Sequence, residues 1–199
     1  MKRIVKLNIL AALVLIITAV YYITVYDDVS ENLIRLHVIS NSNTEADIKI
    51  KEAVRDVILE GVGDSITPDS DPSDILNGIP GFLETANSFL EKEGIGYRAK
   101  ATIEKTEIPR KEYKGIVLPK GEYTAIRIML GEGKGENWWC VAYPPLCFTE
   151  EVAGKLTEEG EELLKSRIDY KSYRVITSEV KYELKIAEVA KKIISYLKK

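Results

Sequence analysis

Lys2, Arg3 and Lys6 precede an uncharged run of 20 residues, Leu7–Tyr26, which Asp27 and Asp28 close. As a helix that run would rise about 30 Å, enough to cross the hydrocarbon core of a bilayer. Basic residues before it and none just after it predict an N-terminus held inside and a chain that continues outside. Tyr21, Tyr22 and Tyr26 fall where an interfacial aromatic belt would lie. The alternative is a cleaved signal peptide, whose apolar region spans about 7–15 residues and ends at small residues. This run is longer, and Thr18-Ala19-Val20-Tyr21-Tyr22 matches such a site poorly. Residues 1–26 therefore read as a signal peptide or signal anchor, a retained anchor being the better fit. Either way, residues from Asp27 onward are expected outside the cytosol.

Charge divides at the same point. All 31 acidic residues lie after residue 26, against 25 of the 28 basic ones, so the exported part carries a net −6. That balance argues against binding nucleic acid, or anionic lipid, through bulk charge. About 170 residues suit one domain, or one domain with a helical appendage.

The rarest residues are gathered in one stretch, Gly131–Cys147, which holds both tryptophans, both cysteines and three of the 13 glycines. Outside the cytosol, Cys140 and Cys147 suggest a disulfide, and Pro144-Pro145 favours a reversal that could bring the sulfurs together. Closing a loop of that size would stabilise by roughly 2.5 kcal/mol, less any strain. Two small buried residues that never pair is the alternative.

Periodicity supplies the elements. Residues 32–39 read as a strand, with Ile34, Leu36 and Val38 on one face and Leu33, Arg35, His37 and Ile39 on the other. Asn41-Ser42-Asn43 offers turn and capping chemistry before a helix from about Thr44 to Glu60. Residues 64–72 read as a loop. A second helix is expected from Ser73 to Glu93, kinked or split at Pro80-Gly81. Tyr97–Ile108 alternates as a half-exposed strand. Ile116–Leu118 and Tyr123–Leu130 are further strands, and Gly131–Gly135 is expected to turn the latter into a hairpin with Asn137–Tyr143. Glu158–Arg167 and Ser178–Leu197 look helical. The order implies an α+β fold with a largely antiparallel sheet packed with two or more helices. The expected divisions are 1–26, an exported domain over 27–148, and a mainly helical extension over 149–199.

Few residues suggest chemistry. Gly133-Lys134 is followed by Gly135 rather than Ser or Thr, so no Walker loop forms, and Glu136 stands where a dinucleotide fingerprint needs glycine. Glycines freeing a turn explain the segment better. One histidine, His37, with two cysteines cannot make the usual zinc site, and a His-based triad lacks a supporting nucleophile. Glu104 and Glu107 are indistinguishable from solvated surface charge. Trp138 and Trp139, adjacent on a strand, must point to opposite faces. Either both are buried or one is a recognition anchor.

Taken together, these blocks resemble the stage II sporulation protein R family. The resemblance rests on Arg35-Leu36-His37-Val38-Ile39-x-Asn41-Ser42, Lys51-x-x-Val54-Arg55-Asp56, Gly121-Glu122-Tyr123, and Gly131-Glu132-Gly133-x-Gly135-x-Asn137-Trp138-Trp139-Cys140-Val141 with Pro144-Pro145-Leu146-Cys147. It spans residues 32–148 and the last block is highly specific; residues 149–199 add little. The resemblance implies an exported signal of endospore-forming bacteria, made in the forespore and secreted into the space facing the mother cell. There such a protein triggers a membrane-bound aspartic protease that removes the pro-sequence of sigma-E. It implies an activating ligand without a cofactor.

On that reading the candidate partner contacts are Arg35, His37, Asn41, Asn137 and Trp138 or Trp139. The rival class is an envelope enzyme, a peptidoglycan hydrolase or peptidase, which would need an acid/base pair in a cleft. A structural module of the wall is a third reading.

Overall fold

The computed structural model of the protein describes residues 2–63, 70–113, 115–144, 146 and 158–177. The elements run α1 (Lys2–Asn32), β1 (Ile34–Ile39), α2 (Glu45–Gly63), α3 (Pro72–Lys92), β2 (Ala99–Ile108), β3 (Lys111–Tyr113), β4 (Ile116–Leu118), β5 (Gly121–Leu130), β6 (Asn137–Tyr143) and α4 (Glu158–Arg167). Residues 170–177 are helical as well. The loop expected over 64–72 falls largely, and the helix expected over Ser178–Leu197 wholly, outside the described residues.

The α+β expectation holds, and the sheet is largely antiparallel as expected, with one parallel pairing. Four strands lie in the order β2-β5-β1-β6, and β3-β4 forms a separate ribbon. β2–β5 and β1–β6 pair antiparallel, whereas β1–β5 is parallel. The expected β5–β6 hairpin is corrected. β1 lies between the two strands, and the glycine-rich segment, after a turn in which Gly133 N donates to Leu130 O at 3.0 Å, crosses the end of β1. Alternation reveals that a strand exists, but says nothing about which strand lies beside it.

Strand β1 is buried along its whole length, because both faces of the sheet are covered. One face meets α2 and α3. There Leu36, Val38, Ile126 and Ile128 pack with Val54, Ile58, Ile75 and Leu90. α3 begins where Asp71 accepts from the backbone N–H of Ser73 and donates its own N–H to the Asp74 carboxylate, with Pro72 in the first turn. Pro80 does not split the helix; it sits on the exposed side, opposite the buried stripe of Ile75, Ile79, Phe82, Ala86 and Leu90. Asn87 ties α3 to β2, accepting from Ala99 N at 2.8 Å.

The other face is covered by the end of α1, the β3–β4 ribbon and residues 158–177. Val29, Leu33, Ile116, Leu118, Leu164 and Ile176 belong to this second core. α1 thus has two characters. Among the described side chains from Ile4 to Ile23 the large apolar ones are exposed, on a span long and apolar enough to cross a membrane and suited to a signal or anchor. Its last turns are part of the domain: Val25 and Val29 are buried, and Leu33 continues them into β1. The Tyr26 ring stands edge-on to Tyr123 at 6.3 Å, and its hydroxyl accepts from Glu122 N at 2.5 Å. Gly121 leaves that hydroxyl its room, since a Cβ there would overlap it. The ten residues of β5 then carry the chain about 30 Å away from this contact.

Candidate functional site

At the end of the sheet remote from α1, the glycine-rich segment clasps the residues that follow β1. Ser40 N donates to Glu136 O at 3.1 Å, Gly135 N to Ser40 O at 2.9 Å, and Lys134 N to Asn41 O at 3.2 Å. The Asn41 side chain joins both sides: its Oδ1 accepts from Glu132 N at 3.0 Å and its Nδ2 donates to Asp47 at 2.9 Å. Gly131 and Gly133 have φ of +56° and +60°, the left-handed region in which a side chain is strained. Gly135 is needed for space, because a Cβ would run into the Ser42 carbonyl and the Ser40 hydroxyl. Asp47 anchors the clasp by accepting from Ser42 at 2.5 Å and from Tyr97 at 2.7 Å. Those hydrogen bonds, Ser42's first, hold its carboxyl below the usual range. Asn41 is therefore a structural link between β1, α2 and the 131–136 segment.

The clasp sets the start of β6, and β6 sets the row beside it. Trp138 and Trp139 point to opposite faces, as expected. Trp138 packs on the helix-covered core, with the Arg55 guanidinium 5.4 Å from its ring centre. Trp139 lies on the other face, directly across from His37 in the β1–β6 ladder. The two rings stack at 3.5 Å and 18°. His37 Nε2 lies 2.6 Å from Asn137 Oδ1, so with that oxygen accepting, Nε2 carries the proton. On the other side of His37, in register, is Arg127 of β5. Its Nη1 donates to Glu104 at 3.1 Å. Burial pushes the His37 imidazole below its ordinary value, against the opposing pull of the Asn137 hydrogen bond.

One step along β1, Arg35 is fully buried. Its Nε donates to Cys140 O at 2.9 Å and its Nη2 to the Tyr113 hydroxyl at 2.7 Å. The Tyr113 hydroxyl in turn donates to Trp139 O at 3.1 Å, so the β3–β4 ribbon is pinned over the row. The rings of Tyr123 and Tyr113 lie 5.1 and 5.6 Å from the guanidinium carbon. This cation is held by dipoles and aromatic faces, with no carboxylate in contact among the described residues. Burial lowers its pKa, yet an arginine remains charged.

The sequence-predicted residues thus separate. Arg35, His37, Asn137 and Trp139 come together on one face; Asn41 belongs to the clasp; Trp138 belongs to the opposite core. Cys140 is buried beside Leu36 on the helix-covered face. Cys147 lies outside the described residues. Arg127 and Tyr113 are not singled out by the sequence, and Glu104, which reads there as solvated surface charge, is paired with Arg127. A lone arginine in the otherwise apolar stretch Ala125–Met129 is the available signal for Arg127, but its neighbour follows only from the parallel β1–β5 pairing.

Among the described residues, no group of three or more His, Cys, Asp or Glu side chains is arranged to hold a metal ion. The row instead offers a stacked aromatic pair, the buried Arg35 cation and the partly exposed Arg127–Glu104 pair, which suits recognition of another molecule.

Comparison with known proteins agrees with the sequence blocks. The family model for stage II sporulation protein R matches residues 30–153. The stage II sporulation protein R of Bacillus subtilis (strain 168) is 35% identical over 138 residues, covering 67% of this chain and 62% of that protein. The chain thus spans somewhat less than two thirds of that relative's length. No solved structure matches. On the family match across most of its folded part, the chain belongs to the stage II sporulation protein R family.

Proposed function

We propose that the protein is an exported sporulation signal that acts as a protein ligand, activating the membrane-bound aspartic protease that processes pro-sigma-E in the mother cell. Membership of a sporulation family supports the setting. The apolar N-terminal helix supports export from the forespore into the intermembrane space, by signal or by anchor. The observation that carries the ligand reading is the His37–Trp139 stack beside Arg127, on the middle of the sheet. Activation requires that the protein bind the active state of the protease more tightly than the inactive one, since equal affinity would shift nothing.

We also propose that Cys140 and Cys147 form a disulfide in the oxidising compartment, closing the end of β6. Intact-mass analysis of the exported protein, alkylated with and without reduction, reads this directly: a disulfide hides both thiols until reductant is added.

Co-expression with the protease and pro-sigma-E in a non-sporulating host tests the main reading. Cleavage that depends on this chain supports it. Pro-sigma-E that stays uncleaved in the presence of correctly exported protein contradicts it, as does degradation of cell wall by the purified chain.

A further inference from the structure

Among the described residues, three buried side-chain nitrogens without a hydrogen-bond partner gather on one face of the sheet: Arg35 Nη1, His37 Nδ1 and Arg127 Nε. Arg35 and His37 are two apart on β1 and so share that face, and Arg127 is the register partner of His37. A buried donor left unpaired costs about 1–3 kcal/mol. Arg35 Nη1 and Arg127 Nε are such donors, and His37 Nδ1 joins them when its ring is protonated, so the satisfied state of the cluster needs an acceptor from elsewhere. Facing the imidazole are Arg127 from β5 and Trp139 and Asn137 from β6, with Glu104 of β2 and Tyr113 of β3 beside the row.

The charges around the cluster say what that acceptor is. Arg35 and Arg127 bring two cations, and Glu104 brings one carboxylate, engaged with Arg127 Nη1 only. One positive charge is left over, and the buried Arg127 Nε has no hydrogen-bond partner among the described residues. We propose that this row receives a single carboxylate, the side chain of an aspartate or glutamate on a protein partner, laid across Arg127 Nε and His37 Nδ1 above the buried Arg35. A monoanion matches the one surplus charge. A doubly charged phosphate matches it worse, and the net −6 of the exported part repels it more strongly. The half-buried Trp139 and Tyr113 flank the cluster as protein-recognition anchors do. Arg127 binds the carboxylate through a charge-assisted hydrogen bond, and His37 adds a second when its ring takes up a proton. Arg35 makes no direct contact and supplies the positive field beneath.

The inference rests on the proposed protein-ligand function for the identity of the partner, but the cluster can be read without it. His37 is the only histidine in the chain, so its ring signals are unambiguous. The full chain, carried in lipid nanodiscs and labelled with 15N in histidine, is titrated with acetyl-Gly-Glu-Gly-amide, with the glutamine counterpart, and with inorganic phosphate. A saturable shift of the His37 ring nitrogens is expected with the glutamate peptide and not with the glutamine one. Arg127→Gln should weaken it about tenfold or more, the factor for one lost charge-assisted hydrogen bond. No saturable shift, an equal shift with the glutamine peptide, or an unchanged affinity in Arg127→Gln overturns the proposal. A response to phosphate alone overturns it too, identifying a free-anion site.

The cleavage assay then locates the partner group. Each extracytoplasmic Asp or Glu of the protease is changed to its amide in combination with wild-type and Arg127→Gln protein. One carboxylate whose loss adds nothing to Arg127→Gln is the predicted result; strictly additive effects at every position count against it. If wild-type protein fails to trigger cleavage at all while the nanodisc titration succeeds, the proposed function falls and the carboxylate site stands.

Discussion

The imidazole of His37 lies flat on the indole of Trp139, ring centres 3.5 Å apart, across the one ladder in which the two are direct partners. That stack buries the only histidine of the chain. Its titration should show it. Burial disfavours the charged ring, so the folded pKa lies below 6.5. The unfolded chain then takes up its proton first as pH falls. Stability attributable to this group is therefore present above pH 6.5 and lost as pH drops through the folded value. Thermal melts at pH 7.5 and 5.5 should differ more for the wild type than for His37→Gln. Asn137→Ala should lower the His37 midpoint further, by NMR, because the hydrogen bond that favours the charged ring is gone.

Arg35 makes a separate prediction. Replacing it with alanine opens a cavity and strips the Cys140 carbonyl and the Tyr113 hydroxyl of a donor. A loss of about 3–5 kcal/mol in chemical denaturation is expected. Arg35→Met fills the volume without the charge and should cost less. Equal losses for the two would mean that charge, not packing, keeps Arg35 in place.

The clasp can be tested by comparing glycines. Gly94 has φ of +70° and open space where a Cβ would go, so Gly94→Ala should cost only the left-handed strain, about 1–2 kcal/mol. Gly131 has similar strain, and a Cβ there also overlaps the Asn41 side chain. Gly131→Ala should therefore be the more damaging in denaturation and should lower cleavage in the co-expression assay, because it moves the start of β6.

Acid should loosen the same clasp. Ser42 and Tyr97 hold the Asp47 carboxyl below its ordinary 3.8. The associated stability is present above that value and is lost as pH falls through the lower folded one. Urea denaturation across pH 5 to 2.5 should show a smaller acid loss in Asp47→Asn than in wild type.

Much of the fold was readable as pattern. The faces of β1, the apolar stripe of α3, the opposed tryptophans and the N-terminal span all follow from period and charge, because burial on one side leaves a repeat in the chain. What period does not carry is adjacency. The parallel β1–β5 pairing joins residues about 90 apart and places Arg127 beside His37. It also turns an apparent hairpin loop into a strap across β1. β3, only three residues long, was too short to show alternation, and with it Tyr113 was lost from view. Asn41 and Asn137 looked alike as polar contact candidates. Only the hydrogen bonds distinguish the clasp from the row.

The most direct test of the ligand account is binding in trans. The full chain in one population of nanodiscs is presented to the protease in another, at physiological salt. Saturable binding is predicted, weakened about tenfold by Arg127→Gln with the melting temperature unchanged. Absence of binding by the wild type, or identical affinity for the two proteins, would contradict it.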